Sequence, residues 1–288
     1  MAVHKRSYHS YAGQLTPPWS RFLIVSRYAF QNALSSRLLI AYFALCFLYP
    51  LGCAIALYMN HNPRLLELFH ESSFFAVDAR FFFHFQNVQG TLAFILTALI
   101  GPGLVSPDLA NHALPLYFCR PFSRVEYVLG KAFVLISLLS LITWIPGEVL
   151  FLIQSSLAGA SWMWTNLWMA GSVFLGSGIE ILVFSLLALA LSAWIKRKPA
   201  AGAALLGVFF FGAGFGQAIN AVLRTHNGTL IDLANLIARV EGQLFAQYTR
   251  KSLAALPADR AWLALLAISA FCLFLLEKKV RAYEVVRG

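Results

Sequence analysis

Charged residues are scarce in this chain. Asp, Glu, Lys and Arg make up 12% of the 288 residues, and hydrophobic residues make up 59%. A soluble domain usually carries about 25% charged residues. The mean hydropathy is +0.70. This composition excludes an ordinary soluble protein and predicts an integral membrane protein.

Acidic residues are the rarer of the two charge types. There are 12 acids against 22 lysines and arginines, which gives a net charge of +10. In a soluble protein such an excess would point to nucleic acid. In a membrane protein it is explained more simply by cationic cytoplasmic loops that contact lipid headgroups. We therefore expect membrane lipid, and no nucleic acid, as a partner.

The residue patterns of common catalytic and metal sites are missing as well. None of the four cysteines has zinc-type spacing, and the seven histidines do not cluster at ligand spacing. No Ser-His-Asp or Cys-His set can be argued from spacing, and there is no Gly-x-x-x-x-Gly-Lys-Ser/Thr loop. We expect no metal, no cofactor and no enzyme activity in this chain. If the protein uses ATP, another chain must bind it.

Six apolar segments are predicted to be membrane spans, since about 20 apolar residues of helix cross about 30 Å of hydrocarbon. They are residues 38–59, 87–105, 127–154, 167–195, 200–223 and 261–276. Pro50 and Gly52 predict a kink in the first. The last is short for a full crossing, so we expect its helix to begin earlier. An aromatic run, Phe81 to Phe83, precedes the second segment and predicts a belt at the membrane surface.

The distribution of lysine and arginine predicts the orientation. Fifteen of them lie in the N-terminal segment, the loop between spans 2 and 3, the turn between spans 4 and 5 and the C-terminal tail, against seven in the other loops. The positive-inside rule then places both termini in the cytoplasm. We expect one transmembrane domain: residues 1–37 as a tail with an interfacial helix, 38–277 as a six-helix membrane domain, and 278–288 as a cytoplasmic tail.

Two further helices are predicted outside the spans. Residues 19–37 have an apolar face, which indicates an amphipathic helix in the cytoplasmic interface; an extension of the first span is the alternative. The members of that face are Phe22, Leu23, Phe30, Ala33 and Leu34. Residues 230–248, in the outer segment between spans 5 and 6, also have a helical pattern. That helix would either cap the exit of a pathway or lie on the outer surface.

The loop from Ser106 to Lys131 is the longest polar interruption in the first half of the chain. Ser106-Pro107-Asp108 is typical of a helix start, and Cys119-Arg120-Pro121 would end that short helix. Ser123 and Glu126 have the spacing of a capping box for the next helix. A short, half-apolar helix between two spans is suited to docking into another protein.

This loop resembles a known family. The order "acid, then Leu, then R-P-x-S-R-x-x-Y-x-x-G-K" is similar to the first cytoplasmic loop of type-2 ABC transporter permeases, and the charged tail from Glu277 to Arg287 is similar to the end of such proteins. Asn111-His112-Ala113 stands where the family usually has an acidic segment with Gly and Thr. The matching residues are Asp108, Leu114, Arg120, Pro121, Phe122, Ser123, Arg124, Tyr127, Gly130 and Lys131.

The resemblance implies a membrane subunit of an ABC exporter in a bacterial inner membrane. It implies two copies of the chain, or this chain with a similar permease, and two separate ATPase subunits that bind ATP and Mg. The hypothesis is that Asp108, Arg120 and Arg124 contact the ATPase. The full set of candidate coupling residues is Asp108, Leu114, Arg120, Pro121, Ser123, Arg124, Tyr127 and Lys131. A non-transporting six-span assembly or maturation factor is the alternative function.

Four polar residues inside predicted spans are candidates for a transport pathway. A carboxylate at mid-bilayer is costly, so Glu148 and Glu180 should face a protein interior, a partner or a water-filled cavity. Either acid lines a substrate path or packs as a hydrogen-bonded group. Gln217 and Asn220 have the same two interpretations. The nearby Gly-x-Gly-x-Gly at residues 212–216 lies in an apolar helix, which indicates close helix packing.

Overall fold

The computed structural model describes residues 17, 20–62, 75–118, 123–246 and 256–281. This part of the chain is helical and has no β-strand. The helices are α1 (Arg21–Leu34), α2 (Arg37–Leu45), α3 (Leu48–Asn60), α4 (Ala79–Ile100), α5 (Pro102–Ala110), α6 (Ala113–Phe118), α7 (Arg124–Ile142), α8 (Trp144–Ala158), α9 (Ala160–Trp194), α10 (Lys198–Leu223), α11 (Leu233–Leu244) and α12 (Ala258–Arg281).

Six units of the described chain are long and apolar enough to cross a membrane. They are α2–α3, α4–α5, α7–α8, α9, α10 and α12 up to Val280. The all-α architecture with six apolar spans is therefore confirmed. The last helix begins at Ala258 rather than at residue 261, as its short apolar stretch predicted.

Helix α9 is the centre of the bundle. In its apolar window 67% of the residues are buried, against 17% in α10 and 22% in α12. It contacts α4, α5, α7, α8, α10, α11 and α12. Small buried residues, among them Ser172, Gly176, Ser177, Ala188 and Ser192, let these neighbours approach its backbone closely.

The predicted kink in the first span lies just before Pro50. Helix α2 ends at Leu45 and α3 begins at Leu48. Because Pro50 has no N–H, it cannot bond to the carbonyl of Cys46, four residues earlier. The side chain of Gln89 donates its Nε2 to that carbonyl at 3.0 Å. A neighbouring span therefore satisfies the group that the proline leaves unpaired.

The aromatic belt predicted at Phe81 to Phe83 is wrong for two of its members. Helix α4 begins at Ala79, well before the predicted start of the span. Phe82 is fully buried and Phe83 is 7% exposed. Their rings pack on Phe151 and Phe245, with centroids 6.1 and 5.9 Å apart. These rings lie in the core because the helix extends further than its apolar stretch.

Helix α1 is separate from the first span. It ends at Leu34, and Ser36, before α2, has an extended backbone. Its buried residues are Val25, Ser26 and Ala29. Two members of the predicted apolar face, Leu23 and Leu34, are exposed instead. The buried face is thus rotated from the predicted one, because α1 packs along α7 and not on the bundle as a whole.

Candidate functional site

The connecting corner comprises α5, α6 and the first two turns of α7. The predicted helix start at Ser106-Pro107 is wrong, because α5 already begins at Pro102 and Pro107 lies inside it. Ser106 is fully buried. Its N–H donates to Ser192 Oγ at 2.9 Å, and its hydroxyl donates to the Ile195 carbonyl at 2.7 Å. The corner is therefore bonded to the end of the central helix α9.

The single short helix predicted after residue 106 is in fact two helices. Helix α5 ends at Ala110, and α6 begins at Ala113. Between them His112 has a φ of 53°, in the left-handed region, so the chain turns there. Leu114 on α6 is 1% exposed. This predicted coupling residue therefore holds α6 against the bundle.

Three of the predicted coupling residues meet in one buried cluster. Lys131 Nζ lies 2.8 Å from Asp108 Oδ2, and the Tyr127 hydroxyl donates to the same oxygen at 2.7 Å. The two charged side chains are only 8% and 17% exposed. A buried ion pair needs such additional hydrogen bonds to offset desolvation. Because Asp108 is on α5 while Tyr127 and Lys131 are one turn apart on α7, the cluster joins the end of span 2 to the start of span 3.

Tyr117 extends this cluster from α6. Its ring centroid lies 5.5 Å from that of Tyr127. Burial, and next the nearby Asp108 carboxylate, raise the pKa of the Tyr117 hydroxyl. The hydroxyl therefore stays protonated at neutral pH. All three helices of the connecting corner thus contribute a side chain to one largely buried polar cluster.

The start of α7 has the predicted cap. Glu126 N–H donates to Ser123 Oγ at 3.2 Å, and Ser123 N–H donates to Glu126 Oε2 at 2.6 Å. The capping box is therefore confirmed. Arg124 follows, half-buried, and Val125 is exposed. The other two predicted coupling residues, Arg120 and Pro121, lie outside the described residues.

Helix α1 reaches the connecting corner through Gly130. Ser26 Oγ donates to the Gly130 carbonyl at 2.9 Å. A Cβ at position 130 would lie 2.8 Å from the carbonyl oxygen of Phe22, too close for an ordinary contact. The glycine of the family-like motif is therefore the residue that lets α1 lie against α7.

A second polar cluster surrounds Glu180 in α9, which is 4% exposed. Gln86 Nε2 lies 3.2 Å from Glu180 Oε2 and 2.8 Å from Ser177 Oγ. A Cβ on Gly90 would collide with the Glu180 carboxyl, so the carboxyl lies against the backbone of α4. The sequence left two interpretations of Glu180, a residue that lines a path or a buried hydrogen-bonded group. The structure shows the buried, hydrogen-bonded group, and it also places that group beside a cavity.

The partner of Glu180 is Glu241, which the sequence analysis missed. Glu241 is on α11, 2% exposed, and its carboxyl interacts with that of Glu180. A signal was present: Glu241 follows the apolar stripe of Leu233, Ile237 and Val240, and the structure buries all three. An acid at the edge of a buried stripe requires a polar partner. We call Glu180 and Glu241 the carboxyl pair.

The carboxyl pair lines a cavity of about 320 Å³. Its walls come from α4, α9, α10 and α11, and most of the lining is apolar. Four phenylalanines face the cavity, namely Phe94, Phe184, Phe209 and Phe210. We call it the phenylalanine cavity. A pocket with an apolar body and a few converging polar groups is the usual form of a small-molecule site.

The other predicted pathway residues lie elsewhere. Glu148, on α8, is half-buried and does not line the phenylalanine cavity. Gln217 is exposed. Asn220 accepts from Gly228 N–H at 2.7 Å and donates to Thr229 Oγ1 at 3.0 Å. For Asn220 the structure supports the packing interpretation.

The glycines of α10 have the predicted packing role at two of three positions. A Cβ at Gly212 would lie 2.9 Å from the Ile231 carbonyl oxygen, and one at Gly216 would collide with the Gly228 carbonyl oxygen. Gly214 faces open space. The short turn at Asn227–Leu230 therefore packs directly on the backbone of α10.

No protein-family model matches the chain, and no curated protein is significantly similar to it. The resemblance of the loop to type-2 permeases therefore stays a prediction from the sequence. The connecting corner and the carboxyl pair are the structural features that bear on a function.

Proposed function

We propose that this chain is the membrane-spanning subunit of an ATP-driven ABC exporter. Separate ATPase subunits would bind ATP and Mg, and the chain would couple their closure to movement of its spans. One observation supports the proposal above the others. The Asp108–Tyr127–Lys131 cluster joins the end of one span to the start of the next at the connecting corner.

The mechanical argument follows from that cluster. Helix α5 continues α4 after an interruption at Gly101, and α7 is the first part of the third span. Since the ion pair and the buried Leu114 hold α5, α6 and α7 together, a force on α6 moves both spans as rigid bodies. A corner that was only loosely packed would absorb the same force by bending.

The docking surface for the ATPase would be the exposed side of the corner. Ala110, Asn111 and His112 are exposed at the turn between α5 and α6, and Ser123 and Val125 are exposed at the start of α7. Arg124, half-buried at the start of α7, would contribute to this contact. Arg120 is the other arginine expected to contact the ATPase, and it lies outside the described residues. Asp108, by contrast, has Lys131 and Tyr127 as partners. We therefore propose that Asp108 holds α5 against α7, and not that it contacts the ATPase as expected from the sequence.

The proposal places the connecting corner, the basic α9–α10 turn and both termini in the cytoplasm of a bacterium, by the positive-inside rule. Helix α1 would lie in the membrane interface and, because it packs on α7, beside the docked ATPase. The exposed apolar sides of α2–α3, α10 and α12 would face lipid or a second permease. Helix α11 would lie on the opposite side of the membrane from the corner.

Copurification in mild detergent tests this function. We expect an ATPase in 1:1 ratio with the chain. Arg124→Glu should keep the chain folded but uncouple ATP hydrolysis from transport. The matched control is Arg224→Glu, at an exposed arginine at the end of α10. It should change neither the folding of the chain nor the coupling of ATP hydrolysis to transport. If no ATPase copurifies, or if Arg124→Glu behaves like Arg224→Glu, the exporter function is refuted.

A labelling experiment tests the orientation independently. A cysteine at exposed Asn111 should react with a membrane-impermeant maleimide only after the cytoplasmic side is opened. A cysteine at exposed Arg224 should react from outside in intact cells. Labelling of Asn111→Cys from the outside would contradict the proposed docking side.

A further inference from the structure

The carboxyl pair has no part in the connecting corner. Glu180 and Glu241 are 4% and 2% exposed and belong to helices α9 and α11. No basic side chain of the described residues pairs with either carboxyl. Burying carboxyl groups without a cation is costly. The arrangement therefore requires a reason other than stability.

One oxygen of the pair is left without a donor. Glu241 Oε1 is buried and has no hydrogen-bond partner among the described residues. The same side chain lines the phenylalanine cavity. Buried polar atoms in folded proteins almost always have a partner, so an unpaired one beside a cavity indicates a missing ligand. A carboxylate oxygen calls for a cation or a hydrogen-bond donor.

The rest of the cavity is aromatic. The ring centroids of Phe94 and Phe209 are 3.9 Å apart, and each ring lies 5.7 Å from that of Phe184. Phe210, at the edge of the cavity, is 72% exposed. Aromatic faces attract cations and also bury apolar surface. The lining thus suits a molecule that is both charged and apolar.

The cavity opens on the exposed surface of the bundle, between α4, α10 and α11. Thr91, Phe210 and Ala234 line it and are exposed. At the carboxyl pair, Gly90 leaves room for the Glu180 carboxyl, and a Cβ added at Gly176 would lie 3.6 Å from Gln86 Nε2 and from Glu241 Oε1. An amphipathic molecule dissolved in the bilayer could therefore enter with its charged end toward the acids.

We propose that the phenylalanine cavity binds a hydrophobic monovalent organic cation, whose ammonium group lies against the carboxyl pair at Glu241 Oε1 and whose apolar body lies on the phenylalanine rings. An inorganic divalent cation fits less well. Calcium takes six to eight oxygen ligands, and no group of three or more metal-ligating His, Cys, Asp or Glu side chains is present among the described residues.

As a binding site this proposal stands on the cavity alone. As an assignment of the transported substrate class, it rests on the proposed exporter function. The two are separated by working with the purified chain in lipid nanodiscs, without any ATPase. A failure of binding there refutes the site, while the absence of a copurifying ATPase refutes only the exporter function.

The probe is benzyltrimethylammonium, and its control is neopentylbenzene, which has the same shape and no charge. Equilibrium dialysis against nanodiscs, with empty nanodiscs as the blank, measures saturable binding. We expect saturable binding of the cation and at least about tenfold weaker binding of the neutral molecule, because the attraction to the buried acids is lost. Na⁺, Mg²⁺ and Ca²⁺ should not compete at equal concentration.

The variants assign the binding to these side chains. Glu241→Gln and Glu180→Gln should each weaken binding about tenfold, and Phe209→Leu should weaken it several-fold. Glu148→Gln, at an acid of the membrane domain outside the cavity, is the matched control and should bind as the original chain does. Gel filtration and thermal unfolding identify any variant that has failed to fold. If Glu180→Gln does not fold, the two single variants Glu241→Gln and Phe209→Leu still test the site.

Four outcomes would overturn the proposal. The first is the absence of saturable binding to the original chain, and the second is equal binding of the neutral and charged probes. The third is displacement of the probe by an inorganic cation, and the fourth is unchanged affinity in folded Glu241→Gln.

Discussion

Replacing Lys131 with Met should destabilise the membrane domain through Asp108. The methionine keeps the length and apolar stem of lysine, but the Asp108 carboxylate, 17% exposed, loses its cation. Removing one partner of a buried ion pair typically costs 3–5 kcal/mol. The Tyr127 hydroxyl still donates to the same oxygen, so we expect the lower end, about 3 kcal/mol. For a protein of this size that is a fall in Tm of roughly 6–12 °C.

The double variant Asp108→Asn with Lys131→Met separates this cause from simple loss of packing. With both charges gone, no carboxylate is left unpaired, so most of the lost stability should return. Lys196→Met, at an exposed lysine in the α9–α10 turn, is the matched control and should change the free energy of unfolding by less than about 0.5 kcal/mol. Thermal unfolding in the same detergent measures the Tm of the original chain and of the three variants, after gel filtration has shown that each is folded.

The physical account of the cluster would be refuted by either of two results. One is a Tm for Lys131→Met that equals the original Tm, which would mean that Asp108 is well solvated. The other is a double variant no more stable than Lys131→Met, which would mean that the lysine acts by packing and not by its charge.

Two further substitutions test contacts between helices. Gly130→Ala should displace α1, because the new Cβ would lie 2.8 Å from the Phe22 carbonyl oxygen. Gly52→Ala is its control, because a Cβ at position 52 has no atom within 4 Å. Limited proteolysis should cut within α1 faster in Gly130→Ala and not in Gly52→Ala. Gln89→Leu should lower the free energy of unfolding by about 1–3 kcal/mol, because the carbonyl of Cys46 loses its donor. Proteolysis of α1 unchanged by Gly130→Ala, or a Tm unchanged by Gln89→Leu, would contradict the respective contact.

The two polar clusters have different tasks if the exporter function is correct. The connecting corner would transmit force, and the carboxyl pair would hold the charged end of the transported molecule. The central helix α9 touches both: Ser192 bonds to the corner, and Glu180 belongs to the pair. The two residues are about three turns apart on one continuous helix. Motion at the corner would therefore reach the cavity through α9 itself.

The features that the sequence by itself determined are local ones. Six apolar stretches predict six spans, because a helix in lipid must satisfy its own backbone hydrogen bonds and expose few charges to hydrocarbon. The capping box at Ser123 and Glu126 follows from spacing within one turn, and it was confirmed. The helical pattern of residues 230–248 likewise depends on neighbours a few residues away.

The tertiary structure alone decided which polar side chains meet. Glu180 and Glu241 are 61 residues apart, and Asp108 and Lys131 are on α5 and α7, with α6 between them in the chain. The buried faces of α1 and α4 were also set by their neighbours and not by their own patterns. The physical reason is that the free energy of burying a carboxyl group, or an aromatic ring, depends on what surrounds it, and those surroundings come from distant parts of the chain.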